Sequence, residues 1–407
     1  MMGFGFATRV VEEGSARFLA PEFGDASAAH IDHLLSRAPV FYNPRMKLNR
    51  DVAVLALQVY QRRLGRRLVV CEPMCGTGVR GIRLAREVEG VERIVMGDLN
   101  PLAARLASYN VEFNALSDRV VVRNLDVNLL LALHSGPGRR FDYIDLDPFG
   151  SPVYYLDSAV RALRSGGLLA VTATDMAPLC GVHPRACLRK YRGSPLHSEY
   201  CNEVALRLLI GALASIAARH EKAVEIAFSH STDHYVRAYA VLEHGSQGAS
   251  RSLEEMGYIL HCPRCLNRRT AHRIRDIGDG VCDECGGPMA VAGPLWLGPL
   301  SEASFCEEMI EEGERRGLWR GRLMRLLRLI RSEAGYPPTF FDVDKVAELL
   351  GLPSLPTDGL IRVLGREGYR ASRTHFHPRG VKTDAPVGAV KEALRELWSE
   401  QQEGGRR

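Results

Sequence analysis

The chain has 407 residues, a formal net charge of +5, and is 46% hydrophobic and 25% charged. This is the profile of a soluble globular protein of two or three domains, each able to bury a core. There is no run of about 18 apolar residues and no leader-like start, so no membrane partner is expected and the cytoplasm is the expected compartment. The slight excess of positive charge permits an acidic partner such as nucleic acid without demanding one. Ten cysteines are too few for a disulfide scaffold at this length, and four of them fall in two close pairs.

Residues 1–50 mix short apolar stretches with the segment Phe41-Tyr42-Asn43-Pro44-Arg45, and helical periodicity follows from Asn49 to Leu64. Strands and helices then alternate. Strands are predicted at Leu68–Glu72, Arg93–Asp98, Val120–Val122, Tyr143–Leu146 and Leu168–Thr174, with helices at Gly78–Glu87 and Pro101–Asn114. Such alternation predicts a doubly wound α/β (Rossmann-like) domain, a parallel sheet with helices on both faces. Val224–His230 and Tyr235–Glu243 lie four residues apart, a hairpin spacing that makes the far edge of the sheet antiparallel. The glycine-bearing stretch His244–Ser250 divides the chain into residues 1–244 and an α+β domain of residues 245–407.

The segment Glu72-Pro73-Met74-Cys75-Gly76-Thr77-Gly78 runs from a strand through a glycine turn into a helix. Gly76 and Gly78 let the backbone approach a cofactor with no side chain in the way. With Gly81 they match a fingerprint that suits a nicotinamide dinucleotide as well as S-adenosyl-L-methionine. Asp98 ends the next strand, where its carboxylate can accept from both ribose hydroxyls. Asp126, after the third strand, can take an adenine amine. The motif that separates the two cofactors is Asp145-Leu146-Asp147-Pro148-Phe149-Gly150, at the carboxyl end of the fourth strand. A dehydrogenase has no use for it. An amine that attacks a methyl group needs an acceptor for its hydrogens, and Asp147 and the Pro148 carbonyl can serve. Phe149 offers a flat face for a base.

In the second domain, Cys262-Pro263-Arg264-Cys265 and Cys282-Asp283-Glu284-Cys285 are separated by sixteen residues. Two thiolates from each knuckle complete a closed tetrahedral set for structural zinc. Glu314–Arg331 reads as one helix, with Trp319, Leu323, Leu326, Leu327 and Ile330 as its apolar stripe. Around that stripe stand seven arginines able to grip phosphates. A second basic segment, Arg185–Arg192, lies closer to the fourth-strand motif. His183, His197, His230 and His234 have no metal-ligand spacing and are expected to be structural or to face RNA.

Taken together, several stretches resemble the tRNA guanine-26 N2-dimethyltransferases. They are Phe41 to Met46, the glycine turn, Asp147 to Pro152, Thr172–Tyr191, Thr374-His375-Phe376 and Lys382 to Pro386. The resemblance covers nearly the whole chain. It implies transfer of one or two methyl groups to a guanine amine of tRNA, and a family-specific C-terminal domain that binds tRNA. By that resemblance Arg45 pairs with the methionine carboxylate and Arg80 lies beside the same end. Asp98 holds the ribose, Asp126 and the Val127 backbone hold the adenine, and Asp147 accepts the proton. The turn carries Cys75 where a small polar residue is expected. The alternatives are another RNA base amino-methyltransferase and a zinc-ribbon RNA-binding module with an inactive cofactor pocket. An oxidoreductase leaves the Asp147 motif unexplained. A pyrimidine carbon-5 methyltransferase would need a cysteine nucleophile, for which Cys180 and Cys187 are the nearby candidates. No protein partner is implied.

Overall fold

The computed structural model describes residues 4–22 and 38–404. A hairpin of β1 (Thr8–Glu13) and β2 (Ala16–Pro21) precedes a seven-stranded sheet. The sheet is built from β3 (Leu68–Glu72), β4 (Val91–Asp98), β5 (Val120–Asn124), β6 (Phe141–Leu146), β7 (Leu163–Ala173), β8 (Lys222–Thr232) and β9 (Tyr235–His244). The spatial order is β5-β4-β3-β6-β7-β9-β8. Strands β3 to β7 are parallel, and β9 runs antiparallel to both β7 and β8, as the hairpin spacing predicts.

Both faces of the sheet are buried, and the two-residue period of a strand divides its side chains between them. On β7, Leu168 and Ala170 enter one core while Leu169 and Val171 enter the other. Helices Lys47–Leu64 and Val79–Glu87 cover the first face; Leu156–Ala162 and Cys201–Arg219 cover the second. Helix Cys201–Arg219 is long and apolar enough to cross a membrane by length and composition, a run the sequence reading overlooked. Here it is a core helix: Val204, Leu208 and Leu209 pack into the same cluster as Ile144 and Val171.

Beyond residue 244 lie two small sheets. The first contains β10 (Met256–His261), β11 (Arg268–Ala271) and β12 (Ala290–Trp296), in the order β11-β10-β12. The second contains β13 (Phe341–Asp342), β14 (Ala371–Arg373) and β15 (Gly380–Thr383), in the order β13-β15-β14. Helices Thr357–Arg366 and Val387–Gly404 close a core of Val343, Leu360, Val390 and Leu394 around the second sheet. Packing also runs across residue 244. Leu295 and Trp296 of β12 join the cluster of helix Cys201–Arg219, and Phe305 and Met309 join that of helix Lys47–Leu64.

The predicted helix Glu314–Arg331 is two helices, Ala303–Arg315 and Arg322–Glu333. Between them Gly317 and Gly321 take φ of 76° and 100°, a region that breaks a right-handed helix. Leu323, Leu326, Leu327 and Ile330 do form the buried stripe, but Trp319 sits in the turn at 60% exposure.

One buried ion cluster ties the two halves. Glu203 accepts from the Arg207 guanidinium at 2.8 Å, from Lys382 Nζ at 2.8 Å and from the Thr339 amide at 2.9 Å, all in the interior. Burial alone would raise the Glu203 pKa; Lys382 and Arg207 override it and bring it from 4.5 to about 2. Its folded value is depressed, so its stabilisation is complete above the unfolded carboxyl range and is lost as pH falls towards about 2. Glu203→Gln should therefore cost about 3–5 kcal/mol at neutral pH, because it leaves two buried cations uncompensated. It should also flatten the loss of stability between pH 4.5 and about 2. Urea unfolding across that range tests both.

Candidate active site

The sheet order reverses between β3 and β6, and in open α/β sheets the crevice at such a switch point takes the ligand. The carboxyl ends of four adjacent strands meet there. Asp126 lies just past β5, Asp98 ends β4, the glycine turn follows β3, and Asp147 follows β6. Neighbouring strands are about 4.8 Å apart, so the row from Asp126 to Asp147 spans roughly 14 Å.

The glycine turn is a close approach of two backbones. Gly76 has φ of 53°, and a Cβ there would lie 2.8 Å from the Phe41 carbonyl oxygen. The segment Phe41 to Arg45 is therefore laid across the turn. Arg50 holds it there, donating to the Asn43 carbonyl at 3.1 Å and to buried Glu13 at 2.6 Å. Gly78, at φ of 80°, begins the helix Val79–Glu87. Cys75 is buried, and its amide donates to the Gly97 carbonyl at 2.8 Å.

The Asp98 carboxylate receives the Gly76 amide at 2.8 Å and the Asn100 amide at 2.9 Å, which fixes it beside the turn. Burial raises its pKa against the pull of those two amides. Asp126 is exposed and caps the helix that begins at Val127, its Oδ1 receiving the Asn128 and Leu129 amides. Both bonds fall on one oxygen. Arg45 is exposed in the first turn after Asn43, whose side chain accepts its amide at 2.9 Å.

Arg80 lies under the site rather than on its surface. It is 5% exposed and donates to Asp147 Oδ2, to Asn49 at 2.7 Å and to Asp145 at 3.3 Å. Asp145 in turn receives Arg237 at 2.6 Å and the Tyr143 hydroxyl at 2.6 Å. Arg237 is fully buried on β9 and also donates to Thr172 and Tyr239. Burial pushes the Asp145 carboxyl up, but Arg237 and Arg80 together hold it below its ordinary range. Sequence reasoning missed Asn49, Tyr143 and Arg237, because each is an isolated polar residue in an apolar element and its partners lie far along the chain.

Asp147 keeps Oδ1 without a partner among the described residues, beside an exposed aromatic surface. Phe149 is 72% exposed and meets the Phe41 ring edge to face at 4.5 Å. The turn is pinned by two bonds between Gly150 and Thr174, of 2.7 and 2.9 Å. Past Thr174 comes the basic helix Pro184–Tyr191, where Lys190 is held by Asp175 while Arg185, Arg189 and Arg192 stand exposed. Tyr154, 66% exposed and close to Phe149 along the chain, is a further aromatic that the sequence reading did not single out.

The four cysteines come together, with ligand atoms all within 4.8 Å of one another. Cys262 and Cys285 are 3.4 Å apart at sulfur, and Cys265 and Cys282 are 3.5 Å apart. A tetrahedron of about 2.3 Å metal–sulfur bonds has edges of about 3.8 Å, so the set fits a zinc-sized ion. The two knuckles repeat one geometry. The Leu266 amide returns to the Cys262 carbonyl at 2.9 Å and the Gly286 amide to the Cys282 carbonyl at 2.8 Å.

The arginines of the predicted single helix are mostly paired. Arg316 and Arg315 face Glu312, Arg322 faces Asp233, Arg328 faces Glu314 and Arg331 faces Glu307. Only Arg320 and Arg325 of that set lack a partner among the described residues, so the segment is largely charge-balanced. Of the four histidines, His230 is buried with Nδ1 on Thr232 at 2.8 Å, and His197 sits on the Cys180 carbonyl at 3.3 Å. Cys187 is fully buried, which removes it as a nucleophile towards a base in the cleft.

A doubly wound sheet with this glycine turn, strand-end acids and the Asp147-Pro148-Phe149 turn fits an α/β methyltransferase. Comparison with known proteins narrows it. The family described as TRM, N2,N2-dimethylguanosine tRNA methyltransferase, matches residues 14–395. The tRNA (guanine(26)-N(2))-dimethyltransferase of Methanothermobacter thermautotrophicus is 42% identical, over 96% of this chain and 99% of its own. The tRNA (guanine(26)-N(2)/guanine(27)-N(2))-dimethyltransferase of Aquifex aeolicus is 34% identical, over 95% of this chain and 96% of its own. The structure of Trm1 from Pyrococcus horikoshii with S-adenosyl-L-methionine superposes with a TM-score of 0.80 at 34% identity, covering 95% of this chain and 99% of that one. The chain belongs to the N2,N2-dimethylguanosine tRNA methyltransferase family.

Glu72 provides a test of the buried network. Burial lifts its pKa; Arg80 opposes, Asp145 adds to it, and the result is about 8 against an ordinary 4.5. The folded value is raised, so the unfolded chain loses this proton first. Glu72 therefore costs the protein stability progressively as pH rises from 4.5 to about 8. Glu72→Gln, which mimics the protonated carboxyl, should remove that slope and leave the variant the more stable form above pH 8. Thermal unfolding as a function of pH measures it.

Proposed function

We infer that this protein transfers methyl groups from S-adenosyl-L-methionine to the exocyclic N2 amine of guanine-26 in tRNA. The observation that carries the reading is the turn after β6. There Asp147 presents one unpaired carboxylate oxygen beside the exposed Phe149 ring, at the switch point of the sheet. Family membership over nearly the whole chain supports the same substrate and donor.

The residues present suit the donor. The order Asp126, Asp98, glycine turn, Asp147 along the sheet edge follows the order adenine, ribose, amino-acid chain and reactive end. We assign adenine to Asp126 with the Val127 backbone, the ribose to Asp98, and the methionine end to Gly76, Gly78 and Arg45. Arg80 acts from beneath, holding Asp147. S-adenosyl-L-methionine supplies an electrophilic methyl group on a sulfonium. The guanine amine is a poor nucleophile because its lone pair is delocalised into the ring, so alignment carries much of the barrier. Phe149 stacks on the base, flipped from the RNA, and Asp147 Oδ1 with the Pro148 carbonyl receives the amine hydrogens. As the nitrogen gains a methyl group its proton becomes strongly acidic, so it passes readily to the Asp147 carboxylate that Arg80 holds in place.

Residues 1–244 are proposed as the methyltransferase domain and 245–407 as the tRNA-binding domain, with the enzyme in the cytoplasm. The exposed Arg185, Arg189 and Arg192, beyond the pinned Phe149 turn, are positioned to meet the RNA backbone.

Incubating tRNA with labelled S-adenosyl-L-methionine and analysing nucleosides by mass should give mono- and dimethylguanosine at position 26. Label on another base or position would overturn the assignment. In the same assay Asp147→Asn should lower turnover by about two to four powers of ten while donor affinity barely changes. Phe149→Ala should lose mainly tRNA affinity, by about 1–3 kcal/mol.

The cysteine set is proposed to bind structural zinc, closed by four ligands and with no open position for chemistry. Metal analysis should find one zinc per chain. Replacing Cys262 and Cys265 with serine should lower stability and tRNA affinity while donor binding stays intact.

A further inference from the structure

At the opposite end of the sheet from Asp147 lies a second cleft, of about 420 Å³. The amino ends of β6, β7 and β8 open into it, roughly 25 Å along β7 from the Thr174 turn at about 3.3 Å per residue. It is lined by Arg140, Arg161, Lys222, His220, His244 and Ser165, and by no carboxylate.

Lys222 makes this cleft unusual. Its side chain is 5% exposed, and its ammonium donates to the Val160 carbonyl at 2.6 Å and the Leu163 carbonyl at 2.7 Å. An ammonium has three donors, and the third has no partner among the described residues. Nor does an acid offset the charge: burial and the neighbouring Arg140 both push the Lys222 pKa down, to about 8. Arg140 is half-buried and spends its Nε on the Ser135 carbonyl at 2.9 Å, leaving the guanidinium end uncommitted. Arg161 is exposed and makes no ion pair among the described residues. Asp157, beside His220, is 58% exposed and taken by that histidine at 2.8 Å.

A buried cation usually faces a carboxylate, as Arg207 and Lys382 face Glu203 elsewhere in this molecule. Here two guanidinium groups and an ammonium converge on open space with no counter-charge. The missing partner is an anion, and its chemistry follows from the donors. Planar guanidinium forks and an ammonium match the several oxygens of a phosphate group, with the Ser165 hydroxyl and two imidazoles within the same wall.

We propose that this cleft is a phosphate-binding site, separate from the methyl-transfer site, formed by Arg140, Arg161 and Lys222. The phosphate is either part of the RNA backbone or carried by a free small molecule; the recognition chemistry is the same.

The experiment is thermal unfolding of the full chain, titrated with inorganic phosphate against sodium chloride at matched ionic strength. Phosphate should raise the unfolding temperature in a saturable way that chloride does not reproduce. The rise should vanish in the Arg140→Gln, Arg161→Ala double variant, which leaves the Lys222 carbonyl bonds in place and so folds. A phosphate response no larger than that of chloride, or one that survives both substitutions, overturns the site. Given the phosphate response, tRNA affinity across a salt series identifies the source. A weaker affinity with a shallower salt dependence in the double variant assigns the phosphate to RNA. Unchanged tRNA binding assigns it to a free phosphate-bearing ligand.

Discussion

Two buried arginines, Arg80 and Arg237, face three buried or half-buried acids, Glu72, Asp145 and Asp147, beneath the cleft. Three negative charges against two would leave the interior short of one cation. The imbalance is relieved by protonation of Glu72, whose backbone acceptor role towards Gly81 needs no charge. What remains is two guanidinium groups facing Asp145 and Asp147, with further donors spent on Asn49, Thr172 and Tyr239. Asp147 sits at the edge of this buried network, held through Arg80. Arg80 occupies only one of its oxygens, so the other is aimed by the network rather than by solvent.

The same network explains how the fold was legible and where it was not. The parallel strands declared themselves through short apolar runs ending in acids or glycines, and their observed bounds differ from expectation by a few residues at most. β7 is the exception: it starts at Leu163, ahead of the expected Leu168, because Leu163 pairs with Phe141 of β6 and the ladder resumes at Leu168 after an irregularity that takes in Ser165 and Gly166. Asp147 and Phe149 could be found because strand ends in such sheets are where ligands sit. Arg237 could not. Its partner Asp145 is 92 residues away, and nothing local distinguishes a polar residue in β9 that points at a buried acid from one that faces water.

The arginine-rich stretch fails for the opposite reason. Its periodicity was real, and Leu323 to Ile330 do bury as one stripe, but periodicity is blind to Gly317 and Gly321 reversing the backbone. Charge counting is equally blind to pairing. Glu307, Glu312 and Glu314, one or two turns away on the preceding helix, absorb most of the positive charge. Besides Arg320 and Arg325, cations without an ion pair among the described residues include Arg185 and Arg189 on helix Pro184–Tyr191 and Arg140 and Arg161 beside Lys222.

Helix Cys201–Arg219 has a consequence for how the chain is made. Its outer side is covered by β12, and on the opposite face of the sheet helix Lys47–Leu64 is covered by the helix starting at Ala303. β12 begins 71 residues after Arg219, and the helix at Ala303 begins 239 residues after Leu64. At ribosomal speeds of about 5–20 residues per second, roughly 4–14 seconds pass before β12 follows the first of these helices and roughly 12–48 seconds before the helix at Ala303 follows the second. The buried Glu203 also waits, since Lys382 is 179 positions downstream. Truncation ahead of β12 would leave that apolar surface uncovered.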